Sequence, residues 1–318
     1  MKDTELKIAQ SEAEWRRYRS ENIGVRESMG QLCGALKRSL RKRFFCAVRN
    51  IGPWRSRTDL MPSYDAGRVN IVVSLTTTKS RIRYIFPVLY SIAGQSRKPD
   101  LVVLWLEKHA AYPQKTIAGI RAMGVRIKFR KDLGPHTKYY YAFHEYPKDV
   151  VITVDDDILY HEQMIEELYG TYLRHRDCVI ARRVNKIRFD RKKELLKYSD
   201  WIWEYKDAKE PAHDLLATGV GGVLYPPEVR RCLCRQNTDF LKVCPKADDI
   251  WLKFCELSGG IKVCAVHNTR NTYDVIRQKS QKTSLAAENV DQGKNDEQFI
   301  ACAEYFGMSD DLCERVLS

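Results

Sequence analysis

The sequence predicts an α/β protein: a doubly wound, mostly parallel sheet flanked by helices, with an α-helical N-terminal extension. Three observations carry this. From residue 69 onward, apolar runs of strand length alternate with stretches of helical length, the order that builds parallel sheets with right-handed crossovers. The runs are apolar throughout, as strands buried on both faces are. The run at 150–154 leads straight into Asp155, Asp156 and Asp157. Those carboxylates therefore fall at a strand's carboxyl end, where open α/β sheets bind ligands.

The chain's 318 residues can hold one large domain or two smaller ones. An apolar fraction of 44% and a charged fraction of 30% suit a globular protein. The formal charge of +13 points to acidic partners: phosphate-bearing substrates, anionic lipid or nucleic acid. The ten cysteines show no paired CxxC spacing, and Cys232 and Cys234 flank a single residue. With no signal-peptide pattern and no apolar run of membrane-spanning length, reduced thiols of a cytoplasmic protein are expected.

In chain order, residues 1–29 balance six bases with six acids and read as a polar helix. From Gly30 to Thr58 there is no acid, and eight bases gather: Lys37, Arg38, Arg41, Lys42, Arg43, Arg49, Arg55 and Arg57. Leu32, Leu36, Leu40 and Phe44 recur every four residues through this stretch. An amphipathic helix over 31–51 follows. It suits either peripheral contact with an anionic membrane at the inner face or packing on the body with its bases in solvent. No nucleic-acid-binding motif surrounds it, so no nucleic acid is expected. Gly52-Pro53 breaks it. Residues 1–58 thus form a basic helical extension, 59–67 a linker, and 68–318 the catalytic domain.

Within that domain, strands are expected at 69–75, 101–106, 125–129 and 150–154, with helices ending near 93 and at 114–123 and 137–145. A helix near 161–169 follows the aspartates, then a strand at 178–183, a short strand after the glycines of 217–227, a helix from Asp248, a strand at 261–266 and a last helix at 295–305. No internal repeat is evident.

Three adjacent carboxylates repel one another unless a cation shares them, and a hard divalent ion, Mg²⁺ or Mn²⁺, prefers such oxygen ligands. The alternative is that Asp156 and Asp157 cap the following helix. The segment TTTKSR after the first strand offers hydroxyls and Arg81 to a phosphate or base. Plain capping by Thr78 or Ser80 is the alternative. GxGxxG and GxxxxGK[ST] are both missing, which indicates neither a dinucleotide fold nor a P-loop. Lys138, after a Gly-Pro loop, can face a diphosphate and Asp132 a base or ribose, or else the segment is a capped amphipathic helix with Lys138 in solvent. Tyr139, Tyr140 and Tyr141 read as core and interface. Trp201 and Trp203 suit either sugar stacking or core packing. Gly219, Gly221 and Gly222 allow close backbone approach to a ligand. Asp248 reads as a helix cap. Asp249, in the first turn, has its pKa lowered by the dipole unless burial offsets that, and it can serve as general base. His267 is either a further metal ligand or structural.

In sequence order these are TTT, GPHTKYYYA, VITVDDDI, TGVGGVLYPP, ADDIWLK and NDEQF. The set resembles bacterial GT-A-fold glycosyltransferases of surface-polysaccharide assembly, the capsule and lipopolysaccharide type, over about residues 68–305. The resemblance implies a nucleotide-sugar donor, UDP-linked, and a glycan or lipid-linked acceptor. It implies a donor nucleotide site at Thr76, Arg81, Asp132, Lys138, Asp155 and Asp156. It implies Mn²⁺ or Mg²⁺ held by Asp157 and Asp155, with His267 as a further ligand. Asp249 matches the catalytic base, with Asp248 where the family more often has Glu. Gly221, Gly222 and Trp251 fall near the acceptor. An inverting transfer at the inner face of the cytoplasmic membrane is then expected. Two rival classes are a nucleotidyltransferase that makes the sugar nucleotide, which normally carries a glycine-rich basic loop that TTTKSR does not match, and a non-catalytic polyanion-binding protein.

Overall fold

The computed structural model describes residues 64–234, 237–267, 274–275 and 293–318. The helix expected at 31–51, its membrane contact and most of the proposed linker lie outside the described residues.

The first half follows the expected alternation. Strand β1 (Ile71–Thr76) leads through a short 3₁₀ turn at Ile82–Tyr84 to helix α1 (Phe86–Ala93). Strand β2 (Leu101–Glu107), helix α2 (Gln114–Ala122), strand β3 (Arg126–Arg130), helix α3 (Thr137–Glu145) and strand β4 (Val150–Thr153) come next. After the aspartates, a two-residue strand β5 (Ile158–Leu159) precedes helix α4 (Met164–Tyr172). The helix expected at 161–169 therefore starts later, and Asp156 and Asp157 do not cap it. Strands β6 (Val179–Ala181), β7 (Val184–Lys186), β8 (Leu215–Ala217) and β9 (Val223–Tyr225) are all short. Helices α5 (Arg230–Leu233), α6 (Phe240–Val243) and α7 (Asp248–Ser258) follow, then strands β10 (Val263–Ala265) and β11 (Asp274–Val275), and helices α8 (Lys294–Tyr305) and α9 (Leu312–Leu317).

Seven strands form the central sheet in the order β10-β6-β9-β4-β1-β2-β3. Every pairing is parallel except those of β9, which runs antiparallel between β4 and β6. The alternation of side chains along each strand sorts the core onto two faces. Val72, Val103, Trp105 and Val151 share one buried cluster with Tyr139 of α3 and Trp251 and Phe254 of α7. Ile71, Val73, Leu75, Val102, Leu104 and Ile152 share the other with Ile92 of α1 and Ile165 and Leu168 of α4. The edge strand β3 departs from the apolar expectation. It places Arg126, Lys128 and Arg130 on one side, the charged edge that discourages pairing with another sheet.

The described cysteines are free thiols. No described helix is long and apolar enough to cross a membrane.

Candidate active site

The site lies at the carboxyl-terminal edge of the parallel strands. It takes Thr77 after β1, Asp155 after β4, Arg183 after β6 and Thr218-Gly219 ahead of the antiparallel β9. Helices α3 and α7 begin here with Lys138 and Asp248-Asp249 in their first turns. Helix N-termini carry partial positive charge and unpaired N–H groups, so both favour an anion at this edge.

Local contacts bring the two helix starts together. His136 is buried and ring-stacked on Phe240 at 4.2 Å. Its Nε2 donates to the carbonyl of Cys244 at 2.7 Å and its Nδ1 accepts from the Tyr139 hydroxyl at 2.9 Å. Burial lowers its pKa to about 3, so it stays neutral and acts as a structural tie between α3 and the segment leading into α7. On the other side, Ser74 of β1 donates to the Lys138 carbonyl and accepts from Trp105 Nε1 at 2.8 Å.

Lys138 is the centre of the arrangement. Its Nζ stands 2.7 Å from Asp155 and 3.1 Å from Asp248. Burial opposes its charge, but the carboxylates of Asp155 and Asp248 more than offset it and raise the pKa well above the usual lysine value. A buried ammonium held by two acids is a fixed positive charge.

The remaining aspartates of β4 turn the other way. Asp156 accepts from Thr77 Oγ1 and pairs with Arg81, which also lies 2.9 Å from Asp157. Burial pushes Asp156 up to about 6, with Arg81 and Thr77 pulling against it. Burial also raises Asp157, and the charge of Asp155 adds to that rise. Arg81 Nε is buried with no hydrogen-bond partner among the described residues.

Asp248 does not cap α7; its carboxylate turns to Lys138 instead, and burial raises its pKa against that cation. Asp249 is pushed up to about 7, by burial first and by Asp248 next. The dipole's lowering is thus outweighed. Asp249 accepts the N–H of Ile250 at 2.9 Å. A carboxyl that titrates near neutrality fits a general base.

Several expected residues stand elsewhere. Thr76 donates to the Trp105 carbonyl at 3.1 Å within the sheet; Thr77, one position out of phase on the strand, is the hydroxyl that meets the aspartates. Asp132 is exposed and accepts the Gly134 N–H at 2.9 Å, closing the loop before α3. Trp251 is buried among Phe240, Tyr305 and Phe306, with ring centroids at 5.8, 5.3 and 5.2 Å. It is core, not acceptor surface. Trp201 is core as well.

The glycines divide similarly. Gly222, at φ +84, lies against Met164 and Leu168 of α4, and Gly221 against Arg183. Gly219 is the one that touches the site. A Cβ there would stand 3.1 Å from both an Asp155 oxygen and Lys138 Nζ. Thr77 and Arg183 were not singled out by pattern; Gly219 belongs to the glycine run expected to allow close approach, whereas the resemblance pointed to Gly221 and Gly222.

His267 is exposed after β10, three strands from β4, about 14 Å at ordinary strand spacing. Among the described residues, no three His, Cys, Asp or Glu side chains converge as a metal cage. The donor set still suits Mg²⁺ or Mn²⁺. Such ions are commonly held by one or two carboxylates plus substrate phosphates, and Asp155 and Asp157 supply carboxylate oxygen beside helix ends that favour phosphate.

No protein family description matches the chain, and no curated protein matches it. Solved structures similar to it include S. aureus TarS 1–349 in complex with UDP, at 13% identity and TM-score 0.43, over 63% of this chain and 59% of that one. A second structure of S. aureus TarS 1–349 has 12% identity and TM-score 0.46, over 76% of this chain and 74% of that one. A 4-diphosphocytidyl-2C-methyl-D-erythritol synthase has 11% identity and TM-score 0.43, over 68% of this chain and 96% of that one. The chain spans 59% of the length of the first of these.

Proposed function

We propose that the chain is a glycosyltransferase that moves a sugar from a nucleotide-sugar donor, UDP-linked, to a hydroxyl of a glycan or lipid-linked acceptor. One observation carries this reading. Lys138 joins Asp155, from the aspartates after β4, to Asp248, from the acidic pair of α7, so the two acidic motifs share one site.

Arg81, whose guanidinium pairs Asp156 and Asp157, and Thr77 fit the nucleotide and phosphate side of a donor. Lys138 and the N-terminus of α3 supply fixed positive charge toward a leaving diphosphate. Mn²⁺ or Mg²⁺ on Asp155 and Asp157 would add charge stabilisation at the same oxygens. Asp249 takes the proton of the acceptor hydroxyl as its oxygen bonds to the anomeric carbon and the bond to the diphosphate breaks. Attack from the face opposite the leaving group inverts the configuration. Arg183, which donates to Thr218 and lies against Gly221, is the group offered here to an acceptor.

The test is product analysis with a panel of nucleotide sugars, Mn²⁺ and short glycosides. Release of a nucleoside diphosphate with a glycosylated product is expected. Formation of a nucleotide sugar from sugar phosphate and nucleoside triphosphate, with release of pyrophosphate, would overturn the reading in favour of a nucleotidyltransferase. No turnover with any donor, at pH values on both sides of neutrality, would also overturn it.

A further inference from the structure

Glu204 is strained and half-buried near this site. Its φ of 52° lies in the left-handed region, which a side chain other than Gly, Asn or Asp rarely adopts. Strain of this kind persists where the surroundings over-determine it and clusters at binding sites. The surroundings here are specific. The Glu204 N–H donates to Asn185 Oδ1 at 3.1 Å, and the next N–H, of Tyr205, donates to the Val184 carbonyl at 2.9 Å. The Glu204 carboxylate accepts from Arg183 Nε at 3.3 Å, yet 39% of the side chain remains exposed.

Asn185 is buried and uses both ends of its amide. Oδ1 holds Glu204, and Nδ2 donates to the Tyr198 hydroxyl at 3.3 Å. Tyr198 is itself fixed from below, its N–H donating to Asp296 of α8 at 2.7 Å. The phenol stands within the field of Asp249, which adds to the effect of burial in keeping it protonated. Arg183 donates to Thr218 Oγ1 at 3.1 Å, and Thr218 is next to Gly219, which lies against Asp155 and Lys138. Arg183 is thus linked through Thr218 and Gly219 to Asp155 and Lys138, and Glu204 through Asn185 to Tyr198. The half-buried ring of Trp203, next to Glu204 in the chain, adds an aromatic surface.

Resting on the transferase reading above, we propose that Arg183 and Glu204 bind a vicinal diol of a neutral sugar in the acceptor. Paired acid and base are chemically matched to a diol. The carboxylate accepts from the hydroxyl hydrogens and the guanidinium donates to their oxygens. The pairing also neutralises Arg183, which sets this pair apart from the cationic donor side and disfavours an anionic acceptor group. Asn185 is a positioning residue that fixes the pair.

Saturation-transfer NMR with methyl glycosides of common hexoses tests this without any donor, on the full chain. Wild type should bind at least one glycoside, and its deoxy analogues lacking one hydroxyl of a vicinal pair should bind about tenfold more weakly or less well still, the scale of one lost charged hydrogen bond. Glu204→Gly removes the diol partner but suits the left-handed backbone. It should lose glycoside binding with Tm unchanged, and Arg183→Lys should weaken it while UDP with Mn²⁺ binds as before. The proposal is overturned if wild type binds no glycoside, if both variants bind like wild type, or if glycerol phosphate competes more strongly than any neutral glycoside. Glycoside binding without UDP binding would instead remove the donor half of the transferase reading and leave the diol site standing.

Discussion

Asp155, Asp156 and Asp157 at the end of β4 each have a cation against them, whereas among the described residues Asp249 at the start of α7 accepts a backbone N–H and forms no ion pair. Both clusters are runs of adjacent aspartates in the sequence. In the fold, the first is threaded between Arg81 and Lys138, and the second shares Lys138 through Asp248 alone. The difference teaches that adjacent carboxylates take their roles from their partners rather than from their number. Acids faced by fixed cations are held in place by them. The one left to burial is pushed up to about 7 and can exchange a proton near neutral pH.

Lys138 is where this contrast is easiest to break. Replacing it with Ala leaves Asp155 and Asp248 facing each other without their shared cation. Removing one partner of a largely buried ion pair costs about 3–5 kcal/mol. Lys138→Ala should therefore show a large drop in Tm and lose UDP binding together. A variant that melts like wild type would show that the two clusters are not joined through this side chain.

A smaller effect of opposite sign sharpens the comparison. The folded pKa of Asp249, about 7, lies above its unfolded value of about 3.9. Below about pH 4 both states are protonated. As pH rises toward 7 the unfolded state ionises first, so the native state loses stability across that window. Asp249→Asn removes this loss. The variant should gain Tm relative to wild type at pH 8 and little at pH 4, measured by calorimetry at both values. A relative gain that is larger at pH 4 would place the ionisation elsewhere.

Much of the donor half was legible in the sequence. The apolar runs of β1, β2 and β4 are continuous because both faces of these strands are buried, and that pattern alone locates Asp155 at a strand end. The helix Thr137–Glu145 stands where its pattern put it. The second half was harder for physical reasons. Strands β6 to β10 are three residues long, too short for a period to show, and the antiparallel insertion of β9 between β4 and β6 depends on partners far along the chain. Thr76 and Thr77 differ only in the phase of the strand, which adjacent identical residues do not reveal. Trp251 sits on a helix buried nearly all round, so no polar face marked it as core. The contact of Lys138 with Asp248 spans more than a hundred residues, and nothing local announces it.

The central claim is that the two acidic clusters divide the work, donor at one and proton at the other. Calorimetric titration of UDP with Mn²⁺, run beside sugar transfer under saturating donor, tests this in Asp157→Asn and Asp249→Asn. Asp157→Asn should lose metal-dependent UDP binding. Asp249→Asn should bind UDP as wild type does while transfer falls by about 10²-fold or more, the scale of a lost general base. The reverse pattern, UDP binding lost with Asp249→Asn and kept with Asp157→Asn, would contradict the account.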